Sequence, residues 1–121
     1  SAARILDTVE RYDLATGEWE QCRPMEVRRR DFRAASLGGH LYALGGHDGQ
    51  RSLDKMDGYV PGADAWESLA PMLGERDSMA VAVHRHFIYV LGGFVDPVGP
   101  VRSAERYHVE EGRWEQLPPM R

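Results

Sequence analysis

Leu41-Tyr42-Ala43-Leu44-Gly45-Gly46 returns in kind as Ile88-Tyr89-Val90-Leu91-Gly92-Gly93, the second glycine pair standing 47 positions after the first. Four apolar residues are too few for a helix, and a run this short closed by glycines reads as a buried strand. A glycine pair suits the exit from a crowded strand, where chains approach closely or φ turns positive. One such run says little. Two in the same frame, with other landmarks keeping step, define a repeat.

The landmarks are Tyr12, Trp19 and Pro24-Met25, then Tyr59, Trp66 and Pro71-Met72, then Tyr107, Trp114 and Pro119-Met120. Tyrosine to tryptophan is 7 residues in each copy, tryptophan to proline is 5, and the tryptophans step by 47 and then 48. Periods of about 40–50 residues belong to propeller blades. The extra residue lies between Gly93 and Tyr107, an interval of 14 against 13 from Gly46 to Tyr59. Strands in a packed sheet do not absorb length change and loops do, so 47–52 and 94–102 are expected to be loops.

Each full copy then divides into four strands, a to d, running from a common axis outwards. Strand a covers about 32–37 and 79–83, and its alanines suit crowding near the axis. Strand b is the apolar run. Strand c covers about 6–13, 53–60 and 101–109, and strand d carries the tryptophan. Gly17, Asp64 and Gly112, five residues after each tyrosine, are placed for the left-handed position of a tight c–d turn. The units are a half blade at 1–25 and complete blades at 26–72 and 73–121.

Composition narrows the function classes. At 42% hydrophobic and 28% charged the chain is ordinary for a soluble domain. Apolar runs fall far short of the roughly 18 residues that span a membrane, and the start lacks a signal-peptide pattern. The single cysteine, Cys22, excludes an internal disulfide framework and fits a reducing compartment. A net charge of −4 argues against nucleic acid as partner.

The joint spacing of Gly-Gly, Tyr and Trp resembles the kelch repeat over nearly the whole chain. Val9-Glu10-Arg11-Tyr12-Asp13 and Gly45-Gly46-His47-Asp48-Gly49 look closest to the kelch-like proteins, in which a BTB domain and a helical linker precede a propeller. A WD-repeat reading fails on period and on its signature dipeptides. The resemblance implies an all-β kelch β-propeller fragment: two four-stranded antiparallel blades preceded by a two-stranded half blade. Propellers need at least about four blades, so the ring is not closed, and the chain reads as an excised piece or a remnant of a longer parent. Arg102 departs from the pattern, standing where Asp7 and Asp54 sit in the other copies.

Residues that invite chemistry have plainer readings. Gly45, Gly46, Gly92, Gly93, Tyr12, Tyr59, Tyr107, Trp19, Trp66 and Trp114 form the structural repeat, the aromatics filling the seams between blades. Trp66, in the middle blade, is expected to be buried, and Trp19, in the half blade, less so. The histidines (His40, His47, His84, His86, His108) show no zinc-ligand spacing, so no metal is expected, and Cys22 has no patterned catalytic partner. Copper-dependent galactose oxidases put an enzyme on such a propeller. Their linked tyrosine and histidine ligands have no matching set here, so no cofactor and no catalysis are expected.

The basic stretch Arg28-Arg29-Arg30-Asp31-Phe32-Arg33 is the strongest charge feature. Arg29 and Arg76 each stand four residues after the Pro-Met methionine, in the d–a connection. In kelch-like proteins the d–a and b–c loops share one face and bind substrate. The resemblance therefore implies a partner-binding set of Arg28, Arg29, Arg30, His47, Asp48, Gln50, Arg51 and Arg76, suited to an acidic peptide because guanidinium forks bind carboxylates. A rival reading makes Arg29 and Arg76 equivalent structural contacts. By resemblance the parent would be a substrate adaptor of a cullin-RING ubiquitin ligase, in the cytoplasm or nucleus, meeting the ligase scaffold through domains outside this chain. The runner-up is an actin-type cytoskeletal module. Open strand edges further predict that the isolated chain self-associates.

Overall fold

The computed structural model describes residues 5–121. Strands β1 (Val9–Asp13) and β2 (Glu18–Cys22) form a two-stranded hairpin. Strands β3 (Arg33–Leu37), β4 (His40–Leu44), β5 (Met56–Val60) and β6 (Ala65–Leu69) follow as a four-stranded antiparallel meander. The third sheet repeats that order with β7 (Ala80–His84), β8 (Phe87–Leu91), β11 (Ala104–His108) and β12 (Arg113–Leu117). These are the expected c-d, a-b-c-d, a-b-c-d units, and they do not close a ring. The intervening 94–102 connection is more than a loop: β9 (Phe94–Val95) and β10 (Gly99–Pro100) pair within it. The proline- and glycine-bearing segment masks that two-residue ladder, which is too short to leave a periodic signal.

The seven-residue spacing has a simple cause. Across each c–d hairpin Tyr12 faces Trp19, Tyr59 faces Trp66 and Tyr107 faces Trp114. Their ring centroids lie 5.2, 5.0 and 5.1 Å apart, the tilted contact that cross-strand aromatics favour. The turns between them carry the expected left-handed residues, with φ of 72° at Gly17, 46° at Asp64 and 66° at Gly112. The rarer non-glycine case, Asp64, uses its carboxylate to accept the Tyr59 hydroxyl at 2.6 Å.

Ala35, Tyr42, Leu44 and Met56 of the second sheet pack against Met79, Ile88, Val90, Tyr107 and Trp114 around the third. At the narrow side β3 lies against β7. Each seam is pinned by an indole: Trp66 Nε1 donates to the Arg23 carbonyl at 2.7 Å, and Trp114 Nε1 to the Ala70 carbonyl at 2.9 Å. A tryptophan is thus covered by the unit before its own. Trp114 lies against a complete sheet and is 9% exposed, Trp66 meets only the β1–β2 hairpin and is half-buried, and Trp19 is 66% exposed. The expectation for Trp66 is corrected accordingly, because coverage depends on the preceding unit and not on being central.

The glycine pairs mark where one unit's backbone crosses the next. Gly46 N–H donates to the Arg76 carbonyl at 3.0 Å, and a Cβ built on Gly45, at φ +61°, would stand 2.4 Å from that same oxygen. Asp7, Asp54 and Arg102 occupy one recurring site, and each accepts a backbone N–H from Met25, Met72 and Met120 respectively. That task needs only a carbonyl, so Arg102 performs it as well as aspartate does. Among the described residues no helix is long and apolar enough to cross a membrane.

Candidate functional site

The d–a and b–c connections meet at one end of the sheets. Arg30 and His47 exchange backbone hydrogen bonds at 3.0 and 2.9 Å, and Arg76 N–H donates to the Leu53 carbonyl at 3.0 Å. This end gathers the predicted partner-binding residues but separates them into two groups.

Arg29 and Arg76 are each 2% exposed and lie inside the sheets. Arg29 Nη1 donates to the Gly45 and Lys55 carbonyls at 3.2 and 3.3 Å, while Nη2 pairs with the Asp57 carboxylate. Arg76 repeats this one unit later. Its Nη1 donates to the Gly92 and Ser103 carbonyls, both at 3.0 Å, and its Nη2 lies 2.7 Å from Glu105 Oε2. Each guanidinium therefore ties the end of strand b to the start of strand c, bonding the Gly45 or Gly92 carbonyl and sharing the Lys55 or Ser103 carbonyl with the N–H of that same glycine. Burial draws the Arg29 guanidinium below its usual range, and the neighbouring Asp57 charge opposes that. These two arginines correct the partner-binding set: they are buried, and their terminal Nη groups bond within the blade.

Asp57 and Glu105 are the buried partners of these arginines, and the sequence reading passed over them. An acidic residue two positions before each tyrosine (Glu10, Asp57, Glu105) was the available signal. Glu105 also accepts the Leu73 and Gly74 N–H groups at 2.7 and 3.2 Å, so a single carboxylate anchors both the arginine and the start of the d–a connection.

His47 is likewise inside, at 6% exposure. Gly49 N–H donates to Nδ1 at 2.9 Å, which leaves Nε2–H to donate to Asp96 at 2.9 Å. Ser52 continues the link, donating to Asp77 at 2.7 Å and accepting from Asp96 N–H at 2.9 Å. His47 thus fastens the second sheet's b–c loop to the third's, and its ring is not offered to solvent. Asp48 is held by its own loop, accepting from Gln50 and Arg51 N–H at 2.8 and 3.0 Å; those bonds lower its carboxyl below the usual range. Arg28, Arg30, Gln50 and Arg51 are exposed, with Arg28 Nε 3.8 Å from Asp7 Oδ2 and Arg30 Nη2 3.5 Å from His47 Nδ1.

Cys22 is a buried free thiol. Among the described residues no cluster of three or more histidine, cysteine or carboxylate side chains could hold a metal.

The model of the Kelch motif matches residues 1–26, 28–73 and 75–121. The chain belongs to the kelch-repeat family. It is 33% identical over 114 residues to kelch-like protein 36 of Mus musculus, covering 88% of this chain and 19% of that protein. Kelch-like protein 6 of Homo sapiens is 31% identical over 85 residues, 70% of this chain and 14% of that protein. An F-box/kelch-repeat protein of Arabidopsis thaliana is 29% identical over 109 residues, 88% of this chain and 29% of that protein. The chain spans less than a third of each. The kelch arrangement explains the buried arginines: both lie in the same place in successive repeats because the same carbonyls need them.

Proposed function

We propose that this kelch chain is a protein-interaction module whose d–a and b–c loop end binds a peptide or protein partner carrying carboxylates or phosphates. The observation that supports this is the placing of Arg28, Arg30 and Arg51 as exposed cations at that end, on a chain whose net charge is −4. Arg29, Arg76 and His47 serve the same face indirectly by holding its loops. Local positive charge on an acidic chain steers anionic ligands, and exposed guanidinium forks hold them.

Within a longer parent, the kelch-like resemblance favours the substrate-binding part of a cullin-RING ubiquitin ligase adaptor, acting in the cytoplasm or nucleus. The test is a triple variant, Arg28→Glu, Arg30→Glu and Arg51→Glu, assayed by fluorescence anisotropy with a glutamate-rich peptide and its phosphoserine counterpart. Binding that is lost in the variant, and weakened by salt in the parent sequence, is the expected result at unchanged melting temperature. Binding indifferent to both would overturn the reading. Co-sedimentation with actin filaments, without peptide binding, would favour the cytoskeletal role.

A further inference from the structure

A second site lies at the opposite end, in a cleft of about 420 Å³ between the second and third sheets. Its walls include Leu37, Leu69 and Val109, its floor the phenols of Tyr42 and Tyr107, and its rim His40, Glu67, His86 and Glu110. The repeat itself shows what fits there. In the third sheet Arg106 stands directly between Tyr89 and Glu115 in the strand register. Its Nη1 donates to the Tyr89 hydroxyl at 3.3 Å, its Nε pairs with Glu115, and its guanidinium carbon sits 4.0 Å over the Phe87 ring. The β1–β2 hairpin keeps the same pair, Arg11 to Glu20 at 2.7 Å.

The second sheet keeps the acid and the aromatics and lacks the cation. Its row reads Tyr42, Gly58, Glu67, with Gly58 opposite both neighbours where Arg11 and Arg106 stand in the other units. His40 takes the place of Phe87, its ring 6.3 Å from Tyr42 as Phe87 is 6.1 Å from Tyr89. The acceptor that Tyr59 finds in Asp64 is also missing one unit later, where Gly112 stands beside the Tyr107 hydroxyl. Glu67 makes no ion pair among the described residues, although Glu20 and Glu115 both do. Burial raises both phenols first; the Glu67 charge raises Tyr42 next, and raises Tyr107 after the effect of Tyr42.

We propose that this cleft binds the guanidinium of an arginine side chain supplied by a protein partner, which takes the position that Arg106 fills from within its own sheet. The guanidinium supplies five donors in a plane, and the site offers Glu67 as the charged acceptor and two phenol oxygens as neutral ones. Its flat face lies against Tyr42 and His40, as Arg106 lies against Phe87. Glu110 adds negative charge at the mouth, 3.4 Å from His86 Nδ1. The site stands apart from the basic loop end and prefers ligands of the opposite charge.

The test uses the chain with acetyl-Gly-Arg-Gly-amide and the uncharged citrulline analogue as probes, followed by NMR shifts of the Tyr42 and Tyr107 rings. The arginine peptide should give saturable shifts there and the citrulline peptide none. Glu67→Gln, at an exposed position, should keep the fold and weaken binding by about tenfold or more. Gly58→Arg should refill the row from within, abolish binding and raise the melting temperature. A Cβ at Gly58 meets first the Leu69 Cδ1 atom at 3.1 Å, the movable end of a side chain. Absent ring shifts, equal binding of the two peptides, or an affinity unchanged by Glu67→Gln would each overturn the proposal, even if Gly58→Arg failed to fold.

Discussion

Arg76 Nη2 lies 2.7 Å from Glu105 Oε2, and both side chains are 2% exposed. The pair is buried, hydrogen-bonded on both sides, and repeated one unit earlier by Arg29 and Asp57. A buried charge left without its partner is costly, since desolvation is no longer offset.

Arg76→Met should therefore destabilise the chain by on the order of 3–5 kcal/mol. The loss leaves the Gly92 carbonyl without its donor and the buried Glu105 carboxylate without its counter-charge, with only the Leu73 and Gly74 N–H groups still bonded to it. Adding Glu105→Leu should recover part of it, because an apolar pair can replace a buried ion pair. Urea denaturation of the single and double variants checks both statements. A melting temperature untouched by Arg76→Met would return this arginine to the ligand-binding set.

The tryptophans should rank by what precedes them. Trp114→Ala is expected to cost about 3–5 kcal/mol, as for a buried aromatic. Trp19→Ala, at a largely exposed ring, should stay within about 0.5 kcal/mol, with Trp66→Ala between the two. Denaturant midpoints for the three variants give the order, and equal losses would contradict the seam packing.

Stability should fall on the alkaline side. Tyr42, Tyr59 and Tyr107 all hold their protons above the usual phenol range: the Asp64 hydrogen bond leads for Tyr59, and burial leads for the others. With folded values raised, the unfolded chain loses its phenolic protons first, near pH 10. The contribution is full below about pH 10 and is lost as pH rises beyond it. Chemical denaturation at about pH 9 and about pH 11 should show the decline. Tyr59→Phe should make it shallower, and a decline unchanged in that variant would assign it to other groups.

The isolated chain should self-associate. Among the described residues strand β1 pairs with β2 alone, whereas its equivalents β5 and β11 each have two neighbours, so one ladder edge is open. Beside it lie exposed Leu6, Tyr12, Leu14 and Trp19. Open edges pair and apolar patches associate. Sedimentation should reveal concentration-dependent mass, reduced by Val9→Lys together with Trp19→Ser. A monodisperse monomer at all concentrations would refute this.

Much of this architecture could be read without coordinates. The strand order, the c–d turns at Gly17, Asp64 and Gly112, and the three aromatic pairs follow from spacing, because hairpin register is a local matter of residue count. Arg28 and Arg29, by contrast, are neighbours in one basic run and look alike. The Arg28 side chain is 72% exposed and that of Arg29 is 0% exposed.

What separated them is a partner 28 residues away, Asp57, and the equivalent distance from Arg76 to Glu105 is 29. A pairing across that span depends on which face of a strand each side chain takes and on which carbonyls lie beside the glycine pair. Likewise the vacancy at Gly58 has meaning only once Tyr42 and Glu67 are its cross-strand neighbours. Periodicity determined the repeating sheet, since each strand is a short-range pattern. Burial, ion pairing and the open cleft were decided by tertiary contact, since charge is stabilised by what surrounds it and not by what adjoins it in the chain.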